Sequence, residues 1–237
     1  MLLEKILQSQ GFGSRKKCQN LIQRGLVKVN GELCDQLKIQ FDPQNLELQV
    51  GEHVCRYREQ VYIALNKPQG YECSHQAQYH FSVFELFPEY LRERGIQTVG
   101  RLDQDTTGLI LLTDDGKFLQ ALTHPKRHVD KEYWLTTADP ITPEQIQALE
   151  QGVELRNEKG IFQATQLQQI SEYELRMTIH QGVYHQVKRM LAAVGNKVTE
   201  LHRHRVGQFA LPEELKHGEW IYLTPEQVEL VTVRTQD

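Results

Sequence analysis

From Gly100 to Gly116 the chain reads Gly-Arg-Leu-Asp-Gln-Asp-Thr-Thr-Gly-Leu-Ile-Leu-Leu-Thr-Asp-Asp-Gly, and this run constrains the fold more than any other. Leu109, Ile110, Leu111 and Leu112 are continuously apolar, the pattern of a strand buried on both faces, and Asp114-Asp115-Gly116 is turn chemistry that ends it. Asp103 and Asp105 lie just upstream. They are expected on a loop fastened to a rigid element, where a carboxylate either solvates the loop or is presented for chemistry.

The 237 residues exceed the usual single-domain size, so one large or two unequal domains are expected. Met1-Leu2-Leu3-Glu4-Lys5 brings charge too early for the apolar centre of a signal peptide. No later run approaches about 18 apolar residues, so no membrane is expected and the protein is read as cytoplasmic. Cys18, Cys34, Cys55 and Cys73 are widely spaced without a Cys-x-x-Cys pair, which indicates neither a zinc site nor a disulfide framework.

A net charge of -4 is not the profile of a protein that binds nucleic acid over its whole surface. The distribution differs from the total. Residues 1–58 hold nine Lys or Arg against six Asp or Glu, leaving 18 against 25 in the remainder. Residues 1–28 hold six basic residues and one acidic, and residues 176–205 again six against one, with four histidines. Two basic patches on an acidic body favour a structured RNA over indiscriminate polyanion binding.

Leu2, Leu3, Ile6 and Leu7 recur at helical spacing, and Ser14 is placed to cap a second helix with an inner stripe of Cys18, Leu21 and Ile22, ended by Gly25. Leu26 to Val29 reads as a strand, and Asn30-Gly31 as a tight hairpin turn into Glu32-Leu33. Arg15, Lys16, Lys17 and Arg24 cannot join the apolar stripe and face solvent or phosphate, contacts that position RNA without reading its sequence. Gly13 to Lys17 and Leu21 to Gly31, with Lys28 among them, resemble the S4 RNA-binding domain. Leu2-Leu3-Glu4-Lys5 departs from the usual Arg-Leu-Asp-Lys opening, which removes one expected cationic contact. After a polar connection over Gly51 to Gln60, Val61 to Leu65 reads as a strand closed by Asn66-Lys67-Pro68-Gln69-Gly70, a turn in which Lys67 reaches phosphate or is simply solvated.

Lys131-Glu132-Tyr133-Trp134-Leu135 alternates as a strand does. Gly182 to Asn196 opens as a loop and continues as an amphipathic helix buried through Val187, Met190, Leu191 and Val194, with His185, Lys188 and Arg189 together on another face. Val198 to Gly207 alternates cationic and other residues. Its histidines suggest a metal site only weakly, since no carboxylate or cysteine stands at coordinating spacing and Arg203 and Arg205 would repel a cation. Thr142-Pro143-Glu144-Gln145 and Thr224-Pro225-Glu226-Gln227 are two helix starts of the same capping type.

These motifs resemble the pseudouridine synthases, in the branch named for the small-subunit ribosomal RNA enzyme (RsuA-type), and the likeness spans nearly the whole chain. The resemblance implies that Asp103 of Gly-Arg-Leu-Asp is the catalytic carboxylate. It further implies that Tyr133 of Lys-x-Tyr packs the target base and is a candidate for proton removal, and that Lys188 is the basic partner of Asp103. A cation beside a carboxylate favours its ionised form, although Lys offers one point charge where Arg would offer a fork. Arg101 is implied as occupant of the space vacated by an extruded base, with Lys67, His185, Gln186, Arg189, Leu201 and Arg203 or Arg205 among the RNA contacts, and Asn66-Lys67-Pro68-Gln69-Gly70 resembles a recurrent motif of the branch, which favours for Lys67 a role in shaping the active-site cleft. Val183 stands where Arg often follows the Gly.

The expected architecture is α+β: an S4 domain over 1–58, then a synthase domain over 59–237 with a largely antiparallel mixed sheet flanked by helices. The expected activity is isomerisation of a uridine in 16S ribosomal RNA, free or within a partly assembled small subunit, by a monomer that uses no metal or organic cofactor. Other readings are a relative acting on 23S ribosomal RNA, an RNA-binding assembly factor without catalysis, and a glycoside hydrolase using Asp103 and Asp105.

Overall fold

The computed structural model describes residues 1–124 and 129–233, so the expected end of the second domain at 237 lies outside the described residues. The chain divides into two compact units, Met1–Val61 with Phe87–Gln97, and Tyr62–Leu86 with the chain from Thr98 on.

In the first unit, α1 (Leu3–Ser9) and α2 (Arg15–Gln23) pack Leu3, Ile6 and Leu7 against Cys18 and Ile22, all fully buried. Each such aliphatic burial contributes about 1.5–3 kcal/mol relative to exposure. Ser14 caps α2 as its position predicts, its hydroxyl accepting from the Lys17 N–H at 3.3 Å. β1 (Val27–Val29) turns into β2 (Glu32–Leu33) through Asn30 at φ 51° and Gly31 at φ 85°, the left-handed pair that a tight hairpin needs. β3 (Glu47–Val50) and β4 (His53–Arg56) complete an antiparallel sheet of order β2-β1-β3-β4. The segment Phe87–Gln97 brings α3 (Glu89–Glu93) into this unit, where the Tyr90 ring stacks on Phe12 at 5.3 Å.

The second unit begins with β5 (Tyr62–Lys67), followed by the short pair β6 (Tyr71–Glu72) and β7 (Phe81–Ser82). β8 (Gln97–Thr98) lies where the chain passes from one unit to the other. Then come β9 (Thr106–Thr113), α4 (Gly116–Thr123), β10 (Lys131–Thr137), α5 (Pro143–Gln151), and the pair β11 (Val153–Glu154) and β12 (Ile161–Phe162). β13 (Ala164–Gln169), β14 (Glu174–Ile179), α6 (Gln186–Ala193), β15 (Val198–Val206), β16 (Phe209–Ala210), β17 (Trp220–Tyr222) and α7 (Pro225–Thr232) follow. The main sheet runs β13-β14-β10-β15-β9-β5-β17, antiparallel except where β15 and β9 run parallel. That is the mixed, largely antiparallel sheet of an α+β fold.

β9 is buried along almost its whole length, as its apolar run predicts, and begins only three residues after Asp103. Its partner β15 approaches closely at Gly108, where a Cβ would lie 2.3 Å from the Arg203 carbonyl oxygen. β10 alternates, with Tyr133, Leu135 and Thr137 buried and Glu132, Trp134 and Thr136 half-buried. Asp115 does more than turn the chain: it caps α4, accepting from the Lys117 N–H at 2.9 Å. Thr142 and Thr224 each form a complete capping box with Gln145 and Gln227. Among the described residues no helix is long and apolar enough to cross a membrane.

Candidate active site

Asp103 lies on the five-residue link between Gly100 and β9, and that link is held from below. Leu102 is buried, its N–H directed to Cys73 Sγ at 3.5 Å, and Thr106 N–H donates to the Asp103 carbonyl at 3.1 Å. Lys67 closes the arrangement. It is the last residue of β5, fully buried, and its ammonium donates to the carbonyls of Thr106 at 2.8 Å, Pro68 at 2.9 Å and Gln104 at 3.3 Å. Contact of Lys67 with phosphate or solvent, left open by the turn alone, is therefore corrected. The strand continues two residues past Leu65, so Pro68 begins the turn and Lys67 points inward, where three carbonyls use its three protons. Burial draws Lys67 down to about 8, with Asp105 and Asp103 opposing that fall.

α6 supplies cations from the opposite side. Lys188 Nζ lies 3.1 Å from Asp103 Oδ2 and donates to Asp105 at 2.7 and 2.9 Å, so one ammonium spans both carboxylates. His185 Nε2 meets the other Asp103 oxygen at 3.1 Å. His185 is the N-cap of α6 in the left-handed region, φ 53°, a conformation costly for a residue with a Cβ and held by the loop around it. Burial disfavours the charged form of Lys188, but its bonds to Asp105 and Asp103 outweigh that and hold it above the usual lysine range. Asp105 is likewise held below the usual carboxylate range, since Lys188 overcomes the burial that would raise it. That is the wrong direction for the proton donor that a two-carboxylate glycosidase requires.

A cavity of about 520 Å³ opens beside Asp103, with Arg101, Lys131, Tyr133, His185, Lys188, Leu201 and Arg203 in its wall. Tyr133 is 7% exposed and enters it from β10, while Arg101 is exposed. Arg203 is buried across from Tyr133 on β15, its Nε donating to the Leu109 carbonyl at 2.8 Å, so it braces the parallel seam as well as lining the cavity. Three other expected RNA contacts are engaged within the protein. Gln186 stays in the wall of this cavity, but it is buried and accepts the Val183 N–H at 3.3 Å, shaping the loop before α6. Arg205 pairs with Glu132 at 2.8 Å, and Arg189 binds Glu158 at 3.1 Å and the Arg156 carbonyl. The contact of His185 with Asp103 and the place of Lys131 in this wall went unread in sequence, although two-residue alternation along β10 already sets Lys131 on the Tyr133 face.

A second cavity of about 500 Å³ adjoins Asp105, lined among others by Thr107, Trp134, Arg176 and His202. Trp134 is stacked against His204 at 4.0 Å and covered by the Arg176 guanidinium at 4.3 Å. In the first unit Arg15, Lys16, Lys17, Arg24 and Lys28 are all exposed, Arg15 paired with buried Glu4 at 2.7 Å and Lys17 with Glu89 at 3.5 Å. Among the described residues no group of three His, Cys, Asp or Glu side chains is placed to hold a metal.

Residues 61–193 match the family model for RNA pseudouridylate synthase, and residues 1–44 that for the S4 domain. The chain is 39% identical over 233 residues to ribosomal small subunit pseudouridine synthase A of Vibrio vulnificus (strain CMCP6), covering 98% of this chain and 99% of that protein. It is 37% identical over 231 residues to the protein of the same name from Escherichia coli (strain K12), covering 98% and 100%. Among solved structures it is similar to a pseudouridylate synthase, with a TM-score of 0.68, 37% identity, and 98% and 99% of the two chains covered.

Proposed function

The chain belongs to the RNA pseudouridylate synthase family, and from that premise we propose that it converts one uridine of 16S ribosomal RNA to pseudouridine, with Asp103 as the catalytic carboxylate. The observation that carries the assignment of Asp103 is its pairing. Lys188 and His185 each occupy one carboxylate oxygen, at 3.1 Å, on the rim of the cavity that Tyr133 enters. The small subunit is the preferred address because the relatives of nearly equal length act, by name, on that subunit. We place the protein in the cytoplasm as a monomer, its S4 domain over 1–58 and its synthase domain over 59–237.

The reaction breaks the N1–C1′ bond, turns the base, joins C5 to C1′ and moves a proton from C5 to N1. It is redox-neutral and needs no electron carrier. Lys188 and His185 hold the two Asp103 oxygens in place for attack on the sugar or for stabilisation of positive charge at C1′. Tyr133 offers the base a ring face, a contact worth about 1–3 kcal/mol, while exposed Arg101 fills the stack from which the base has turned, a move costing a few kcal/mol. Arg203 supplies a buried cation to an oxygen of base or phosphate, and Leu201 an apolar wall. Lys16, Arg24 and Lys28 of the first unit bind backbone phosphate and fix register.

The test is to incubate the protein with unmodified small-subunit and large-subunit ribosomal RNA and map pseudouridine chemically, beside Asp103→Ala. One Asp103-dependent site in 16S RNA is expected, with the variant slower by roughly 10³-fold or more. A site only in 23S RNA moves the address to the large subunit. Tight binding without product overturns the enzymatic reading in favour of an assembly factor.

A further inference from the structure

We infer that Asp105 is a positioning residue for the reaction: it takes two of the three ammonium protons of Lys188 and so fixes the third on Asp103, in competition with the phosphates of the bound RNA. This role rests on the synthase reading above. An ammonium carries three protons, and three carboxylate oxygens receive them: Asp105 Oδ1 at 2.7 Å, Asp105 Oδ2 at 2.9 Å and Asp103 Oδ2 at 3.1 Å. Asp105 therefore holds Lys188 from two points while Asp103 holds it from one, and His185 occupies the remaining Asp103 oxygen. Where Arg would present a fork with its geometry built in, Lys is a point charge on a flexible four-carbon stem and needs a second anchor to be directed. Asp105 is itself anchored. The carbonyls of Gln104 and Thr106, on either side of it, both accept from the buried Lys67 ammonium, at 3.3 and 2.8 Å, and the Gly70 N–H donates to the Gln104 carbonyl at 2.8 Å. The backbone of Asp105 is thus pinned from both sides immediately before β9.

The setting is what makes a second anchor necessary. The Lys188 side chain is 24% exposed and lines the cavity that receives the RNA, where the backbone brings negative charge of its own. A phosphate that captured the ammonium would leave the Asp103 carboxylate to His185. Held by Asp105, the ammonium stays on the link that carries Asp103 while the RNA docks. The same carboxylate is a liability for binding. Its side chain is 46% exposed, and a negative charge beside an RNA cavity repels the phosphates that the site must admit. Affinity alone would select against an acid at this position, so its presence calls for a role in the chemical step. Removing it relieves repulsion and loosens Lys188 at once, which moves affinity and rate in opposite directions. A residue that only braced the fold would move both the same way.

The experiment measures RNA affinity, single-turnover rate at saturating protein and thermal unfolding for wild type, Asp105→Asn, Asp105→Ala and Asp105→Glu, on whichever ribosomal RNA the wild type converts, and repeats Asp105→Asn beside Lys188→Arg. Asp105→Asn and Asp105→Ala are expected to bind RNA as tightly as wild type or a few-fold more tightly, and to convert it about 10-fold to 10²-fold more slowly. Their melting temperatures should stay within about 4 °C of wild type, since the ion pair they break is partly exposed. Asp105→Glu keeps both oxygens and should recover part of the rate. Beside Lys188→Arg, whose fork supplies its own direction, Asp105→Asn should slow conversion by no more than about 3-fold relative to Lys188→Arg alone. A wild-type rate in Asp105→Ala overturns the proposal. So does a slow variant whose affinity falls along with its rate, or one whose loss is equally large beside Lys188→Arg. Wild-type protein that makes no pseudouridine in either RNA overturns the parent reading and this proposal together.

Discussion

Lys67 carries its charge where water does not reach, and the three carbonyls it binds belong to the end of β5 and to the link bearing Asp103. Lys67→Met would leave those carbonyls without donors, each at about 1–3 kcal/mol when buried. The variant is expected to unfold more readily by about 3 kcal/mol or more and to lose kcat with little change in RNA affinity, measured by urea unfolding and steady-state kinetics. Full kcat in a destabilised variant would separate Lys67 from the site. His202 makes a second residue-scale prediction. Burial, with His204 and His217, pulls it to about 4 from 6.5, and its Nδ1 meets the Thr107 hydroxyl at 3.0 Å. The unfolded chain therefore binds a proton that the folded chain refuses between those values, so stability is whole above pH 6.5 and declines as pH falls toward 4. With solvent screening the loss is about 1–2 kcal/mol. His202→Asn should flatten the difference between urea midpoints at pH 7 and 5, and an unaltered difference would assign the acid loss to other groups. Of these two, sequence showed Lys67 but left open contacts with phosphate and solvent that its burial excludes. Pro68 and Gly70 are strong turn signals, but they mark where a turn must exist and not the last residue of the strand before it.

At the scale of elements, the parallel contact of β9 with β15 orders the site, because β9 carries the Asp103 link while β15 carries Leu201 and Arg203. Gly108 permits that contact, with φ +100° and the Arg203 carbonyl oxygen 2.3 Å from where a Cβ would stand. Gly108→Ala combines left-handed strain with a clash against backbone, which cannot swing away as a side chain tip can. It should destabilise the protein by about 2–4 kcal/mol and reduce conversion with it. Thermal unfolding and single-turnover rate read side by side test this. Loss of stability alone would mean that the site does not depend on the seam. Elements with internal periodicity were legible in sequence: the apolar run of β9, the alternation of β10, the Val187, Met190, Leu191 stripe of α6 and both Thr-Pro-Glu-Gln capping boxes. α4 was not. Its first residues, Asp115 and Gly116, have the composition of a turn, and only the cap bond to Lys117 shows that a helix begins there.

At the scale of the whole molecule, two domains were legible from composition and motif, but the discontinuity of the first unit was not. No local signal marks Phe87–Gln97 as part of an N-terminal fold, because its affinity lies in long-range contacts. Gln10 Oε1 and the Arg58 carbonyl accept from Arg94 at 2.9 and 2.8 Å, Phe12 stacks on Tyr90, and a Cβ at Gly11 would lie 1.9 Å from the Tyr90 carbonyl oxygen. Removing residues 1–58 at the expected boundary therefore does more than delete a module that binds phosphate. It strips α3 of the ring beneath Tyr90 and leaves the Arg94 guanidinium without two of its acceptors. Exposure of one large side chain costs about 1.5–3 kcal/mol, and for a chain of this size each kcal/mol lowers Tm by about 2–4 °C. The truncated chain is expected to melt about 5 °C or more below the corresponding transition of the full chain, and Tyr90→Ser in the truncated chain should recover solubility. Calorimetry of the three proteins decides between an added RNA-binding domain and one that also stabilises the segment it shares. A truncated chain that melts with the full-length transition would show that Phe87–Gln97 holds its fold without the N-terminal residues.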